Sequence, residues 1–132
     1  MIIDTSAIIA ILRSEPEAVF CARAIADARN RRVSAVSYVE AAVVIDASGD
    51  PIASRRVDDF FKAAQISIEA VTETHAQIAR HAYRDFGKGS GHPAKLNFGD
   101  CFAYALAKSS GEPLLFKGND FMHTDITSIS PA

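Results

Sequence analysis

Short apolar runs alternate along this chain with longer stretches whose apolar residues recur every three or four positions. The strand-like runs are Ile2–Asp4, Val33–Val36, Ile66–Val71 and Leu114–Phe116, with a weaker one at Ile126–Ile129. Helical periodicity covers Ala7–Leu12, Glu15–Asn30, Tyr38–Ala47, Pro51–Ala64, Glu73–Phe86 and Gly99–Ser109. Strands separated by helices need crossover connections. The pattern therefore predicts an α/β fold with a mainly parallel sheet of four to five strands and helices on both faces. No repeat, low-complexity tract or compositional break divides the chain, so residues 1–132 are expected to form a single domain.

Local chemistry sharpens the element boundaries. Ser14-x-x-Glu17 and Thr74-x-x-Gln77 match the capping-box pattern, and Asp50-Pro51 matches an N-cap followed by an N1 proline. Gly87 and Gly111 stand where left-handed residues end helices, and Pro113 blocks continuation past the second. A loose basic segment, Gly87 to Lys95, carries Lys88, Gly89, Gly91 and His92 and leads into Leu96-Asn97-Phe98-Gly99-Asp100.

Composition narrows the class of protein. Hydrophobic residues make up 48% and charged residues 23%, a globular balance. No apolar run nears the ~20 residues of a membrane span. Asp4 interrupts the apolar start, which argues against a secretory leader. Two cysteines, Cys21 and Cys101, are too few for a disulfide framework or a thiolate zinc site, so a reducing, cytoplasmic setting is expected. The net charge of −2 does not suggest a strong nonspecific nucleic-acid binder. With 16 acidic and 14 basic side chains, however, neutralising three acids would bring the signs close to balance. Charge thus neither requires nor excludes a nucleic-acid partner.

Three acids stand against the apolar pattern. Asp4 ends the first strand-like run, Glu40 follows Val33 to Val39, and Asp100 opens the apolar stretch Cys101 to Ala107. Burying an ionised carboxylate costs several kcal/mol unless something pairs with it. Ligand sites in parallel α/β folds lie at the carboxyl ends of the strands, where Asp4 and Glu40 fall. Local roles compete with a site. Asp4-Thr5-Ser6 reads as an N-cap, and Ser37-x-x-Glu40 reads as a capping box. Asp100 has the weaker local account, because a helix dipole favours an anion by only roughly 0.3–1 kcal/mol. Asp120 is a further candidate acid, although Gly118-Asn119-Asp120 also suits a turn. No histidine pair has metal-ligand spacing, and no phosphate-cradling glycine motif occurs. Oxygen-only ligation by such acids selects Mg²⁺ or Mn²⁺ over Zn²⁺. That chemistry suits attack of a metal-activated water on a phosphodiester.

The segments Ile2-Ile3-Asp4-Thr5-Ser6-Ala7, Ser37-Tyr38-Val39-Glu40, Ala82 to Gly89 and Ala94 to Phe102 together resemble the PIN-domain ribonucleases, and more narrowly the VapC toxins of bacterial toxin–antitoxin pairs. The likeness runs from Met1 to about Ile126; the Leu96–Lys108 segment with Leu114 to Gly118 is its most specific part. The resemblance implies a PIN-like fold, Mg²⁺-dependent endonucleolytic cleavage of RNA, a VapB-type antitoxin partner and a homodimer. It matches Asp4, Glu40 and Asp100 to the metal-binding acids and places Ser6 and Asn97 as supporting polar residues. Lys88, Lys95 and Lys117 are assigned to RNA phosphates. One position departs from the family pattern. A fourth acid is expected two residues after a Ser or Thr at the end of the fourth strand, where this chain has Phe116 and Gly118; Asp120 is the substitute on offer.

Two other function classes fit parts of the sequence. A non-catalytic RNA- or protein-binding α/β module would use the acids only as caps. A phosphatase with an Asp nucleophile would want a second Asp where Ser6 stands.

Overall fold

Ile2 and Ile3 are fully buried neighbours whose side chains serve different cores, as alternation along a strand requires. The computed structural model describes residues 1–131. These two residues form β1 (Ile2–Ile3), the central strand of a five-stranded sheet. The other strands are β2 (Arg32–Ser34), β3 (Ser67–Glu69), β4 (Leu114–Leu115) and β5 (Ser128–Ile129). Their order is β3-β2-β1-β4-β5 and every pairing is parallel, as the alternating pattern predicts.

Six helices supply the crossovers: α1 (Thr5–Leu12), α2 (Ala18–Asp27), α3 (Ala35–Asp46), α4 (Pro51–Ala63), α5 (Glu73–Phe86) and α6 (Phe98–Ser110). Ile2, Leu114 and Phe116 pack on one face with Ala79, Tyr104 and Leu106 of α5 and α6. Ile3, Val33 and Leu115 pack on the other with Ile8, Cys21, Ile45 and Phe61 of α1 to α4. Each fully buried aliphatic side chain contributes roughly 1.5–3 kcal/mol of burial. The sheet is therefore held from both sides. Among the described residues, no helix is long and apolar enough to cross a membrane.

Several boundaries differ from the sequence reading, each for a local reason. The run Val33–Val36 is strand only to Ser34, whose hydroxyl accepts from Val36 N–H at 3.3 Å and starts α3 at Ala35 rather than Tyr38. The Ser14-x-x-Glu17 box does not form. Ser14 takes a left-handed φ of 52°, and Glu17 makes no cap hydrogen bond; instead it lies 3.5 Å from the Lys117 ammonium. The box expected at Thr74 forms two residues earlier, from Thr72 to His75. Gly87 is extended at φ −78°, not left-handed; a Cβ there would lie 2.2 Å from Tyr83 O, so space demands the glycine. Gly111 is left-handed at φ 70°, as expected.

At the amino edge of the sheet, Glu112 joins three strands. Its carboxylate accepts from the Met1 ammonium at 2.6 Å and from the Arg32 guanidinium, which also donates to Glu69 at 3.0 Å. Burial alone would raise the Glu112 carboxyl, but the ammonium and Arg32 outweigh it and hold it below the usual carboxylate range. A carboxyl lowered by folding stabilises above its unfolded pKa, and that stabilisation fades as pH falls through the folded value. Glu112→Gln should therefore lower the unfolding free energy by roughly 1–2 kcal/mol at pH 7. The deficit should shrink in acid. Urea denaturation at several pH values reads it, and an unchanged midpoint at pH 7 would refute the clamp.

Candidate active site

At the carboxyl edge the chain leaves β1 and turns at once into α1, with Asp4 as the N-cap. Asp4 N–H donates to Leu115 O at 2.9 Å, which fixes the cap to β4. One carboxylate oxygen, Oδ2, accepts from Ser6 N–H at 3.0 Å and from the Ser6 hydroxyl at 2.6 Å. The Ser6 hydroxyl in turn accepts from Lys117 N–H at 3.0 Å, so the end of β4 braces the arrangement. The other oxygen, Oδ1, is buried and has no hydrogen-bond partner among the described residues. Burial pushes the Asp4 carboxyl up to about 6; the Ser6 bonds pull against it, and the charge of Glu40 adds to the rise.

Glu40 is released from the capping role its local sequence offered. Because Ser34 starts α3, Ser37 lies inside the helix and Glu40 projects from its second turn. Its Oε1 accepts from the Thr5 hydroxyl at 2.7 Å. On the other side the carboxylate rests against the backbone of α6 at Gly99, where a Cβ would come within 2.1 Å of Oε2. Thr5 and Gly99 are the residues that the sequence reading overlooked. Thr5 was hidden among the cap-forming residues after Asp4. Gly99 carried a usable signal, since glycine in a helix is unfavourable unless another group needs the space.

Asp100 has a local role after all. Asn97 caps α6, accepting Asp100 N–H at 2.8 Å, while Asp100 Oδ2 accepts Asn97 N–H at 3.0 Å. This reciprocal box leaves Oδ1 of Asp100 outside it. The Asp100 carboxyl is pushed up to about 7, by burial first, then by the charges of Asp4, Asp120 and Glu40, against the pull of the Asn97 bond. Asp120 is exposed at the start of a 3₁₀ turn (Asp120–His123) beyond β4. Gly118 has φ 98°, a conformation that strains any L side chain, so the turn has no easy place for an acid there. Phe116 is a core residue, 5.1 Å from the ring of Phe121.

Glu40 thus acts on Asp4, and Asp4, Glu40 and Asp120 all act on Asp100. Among the described residues, no three acid, histidine or cysteine side chains form a ready-made metal cage. Each acid is held on its own hydrogen-bond anchor around an open edge. The donor set still fits a hard divalent cation. It is made of oxygens, it repels itself, and it includes one desolvated carboxylate oxygen without a donor. Of the expected RNA-contacting residues, Lys88 and Lys95 are exposed beside the start of α6. Lys117 is engaged elsewhere, 2.6 Å from Glu15 and 3.5 Å from Glu17.

Comparison with known proteins agrees with this layout. The PIN domain family model matches residues 1–126. Ribonuclease VapC28 of Mycobacterium tuberculosis is 57% identical over 126 residues, covering 96% of this chain and 95% of that protein. Ribonuclease VapC of Mycolicibacterium smegmatis is 47% identical over 129 residues, covering 98% and 99%. The crystal structure of Mycobacterium tuberculosis VapC20, a sarcin–ricin loop cleaving toxin, superposes with a TM-score of 0.75 at 16% identity, covering 98% of both chains. A toxin–antitoxin complex from Klebsiella pneumoniae gives a TM-score of 0.68 at 16% identity over 91% of this chain and 88% of that one. The two structures share the fold, and the two sequence relatives share much more. An α/β chain with this sheet order and these acids at its carboxyl edge, matched by the family model over nearly its whole length, belongs to the PIN domain family and, within it, to the VapC ribonucleases.

Proposed function

We propose that this chain is a divalent-metal-dependent endoribonuclease acting as the toxic half of a toxin–antitoxin pair. The observation that carries this reading is the unpartnered, buried Oδ1 of Asp4, set close enough to Glu40 and Asp100 for their charges to be felt. Purely structural caps would need no such oxygen, and Glu40 caps nothing; both points weigh against a non-catalytic binding module. Ser6 donates to Asp4 from the place where a phosphatase would put its second Asp, which disfavours that chemistry.

Asp4, Glu40 and Asp100 would hold the cation, Mg²⁺ or Mn²⁺ by their oxygen chemistry, with Asp120 as the outer acid. Bound there, such an ion supplies positive charge for the phosphodiester and acidifies water beside it. The protein's own part is positional. Ser6 fixes Asp4, Thr5 and Gly99 seat Glu40, and Asn97 orients Asp100. Lys88 and Lys95 are free to meet phosphates, whereas Lys117 would first have to leave Glu15 and Glu17.

The natural partners are RNA and a VapB-type antitoxin whose segment would lie over the acids. A second copy of the chain would cover exposed apolar residues such as Val43 and Ile52, giving a homodimer. Two free, buried cysteines support a reducing cytoplasmic setting.

Asp4→Asn should keep the N-cap but lose the charge. RNA cleavage in Mg²⁺ should fall at least about 100-fold while the protein stays folded; equal cleavage by both proteins would sink the mechanism. A second outcome concerns pH. Both raised carboxyls bind protons more tightly when folded, so they stabilise most below about 4 and lose that contribution as pH rises through about 6 and about 7. In chelator, the melting temperature should fall across this window, and Mg²⁺ or Mn²⁺ should restore it at the upper end. A melting curve insensitive to both pH and cation would contradict the charge arrangement.

A further inference from the structure

Beside Glu40 lies a shallow hollow walled by Val36, Val39, Gly99 and the ring of Phe98. Phe98 opens α6 two positions before Asp100, yet it is 70% exposed. Exposed apolar side chains occur elsewhere on this surface, Ile52 among them, but Phe98 is the aromatic ring that stands against a carboxylate of the candidate site, and that position points to a ligand. The ring is not loose. Phe102 braces it edge-on, with centroids 5.0 Å apart and planes at 64°. Beyond that brace a second hollow continues along Tyr83, itself 43% exposed, and Arg80.

We propose that Phe98 is a stacking platform for an unpaired nucleobase flanking the phosphodiester to be cleaved, with Tyr83 and Arg80 receiving the next nucleotide. The proposal rests on the ribonuclease reading above. Unpaired bases are recognised by stacking on aromatic rings and guanidinium planes; the first hollow offers the ring of Phe98 among aliphatic walls, and the second adds Tyr83, Phe102 and Arg80. Position decides between a base and an apolar protein surface. Phe98 shares its hollow with the Glu40 carboxylate, so a wholly apolar surface seated there would strip water from that charge without replacing it. A stacked base covers the ring and leaves its phosphate at the polar edge, beside Asp4, Glu40 and Asp100. The platform also explains why an aromatic stands at the first position of α6, where no core packing requires one.

The test uses the full chain with Phe98→Trp, Phe98→Leu and Phe98→Ala. Cleavage of a single-stranded RNA oligonucleotide in Mg²⁺ gives kcat/KM, and binding of the same oligonucleotide is read by anisotropy in an Asp4→Asn background. Stacking predicts that Trp stays within about 3-fold of the parent, while Leu and Ala each lose at least about 10-fold in both readouts. Light scattering and melting curves should be unchanged. If Leu restores function, apolar packing rather than stacking is at work and the proposal fails. It fails equally if Phe98→Ala alters the mass in solution, which would assign the ring to a protein contact. Undiminished cleavage by Phe98→Ala overturns the platform alone, whereas no cleavage by the unsubstituted protein overturns the ribonuclease reading instead.

Discussion

The desolvation of one carboxylate at the end of the central strand organises this molecule. Asp4 is the residue at which two apolar cores, one on each face of the sheet, give way to a polar edge. Its charge is unfavourable there, Glu40 makes it more so, and Asp4 in turn raises the carboxyl of Asp100. Such an arrangement persists only because the cores outweigh it and because each acid is tethered by a short, specific hydrogen bond. The site is a region of stored repulsion that a cation would relieve.

The tethers are helix-start devices put to a second use. Asp4 caps α1 and Asp100 closes the box at the start of α6, each with a single oxygen. The helix amino termini add favourable dipole, worth roughly 0.3–1 kcal/mol at each end. Capping and ligation are therefore not competing explanations for these residues. One oxygen satisfies the backbone and orients the carboxyl group, and the other stays outside the cap, where the proposed cation would meet it. Glu40 differs, because it is positioned by Thr5 and by the bare backbone of Gly99 rather than by its own helix.

Much of the architecture was legible in the sequence, because period-two and helical runs report directly on which face is buried. A mainly parallel sheet of four to five strands, helices on both faces, and Asp4 and Glu40 near strand ends follow from that pattern. Two of the misses were local and two were long-range. Val33 to Val36 read as one strand, since β-branched residues resemble strand until Ser34 is known to cap. The box at Ser14 matched in letters, but the chain there turns through a left-handed residue and Glu17 sits beside Lys117. Lys117 looked free for phosphate because its partners lie about a hundred residues away, at Glu15 and Glu17. Gly99 marked a close approach, yet nothing near it in sequence named Glu40 as the group approaching.

The left-handed glycine at position 118 bears on how this lineage can change. An acid at that position would force a branched backbone carbon into a conformation suited to glycine. A single codon change to Asp or Glu there would thus meet a folding penalty before it offered any ligand. Restoring an acid at that place would require the turn to be rebuilt as well. If the proposed site needs an outer acid, Asp120 offers one past the constraint, on a turn that already holds it. Backbone conformation, rather than side-chain chemistry, sets which route remains open.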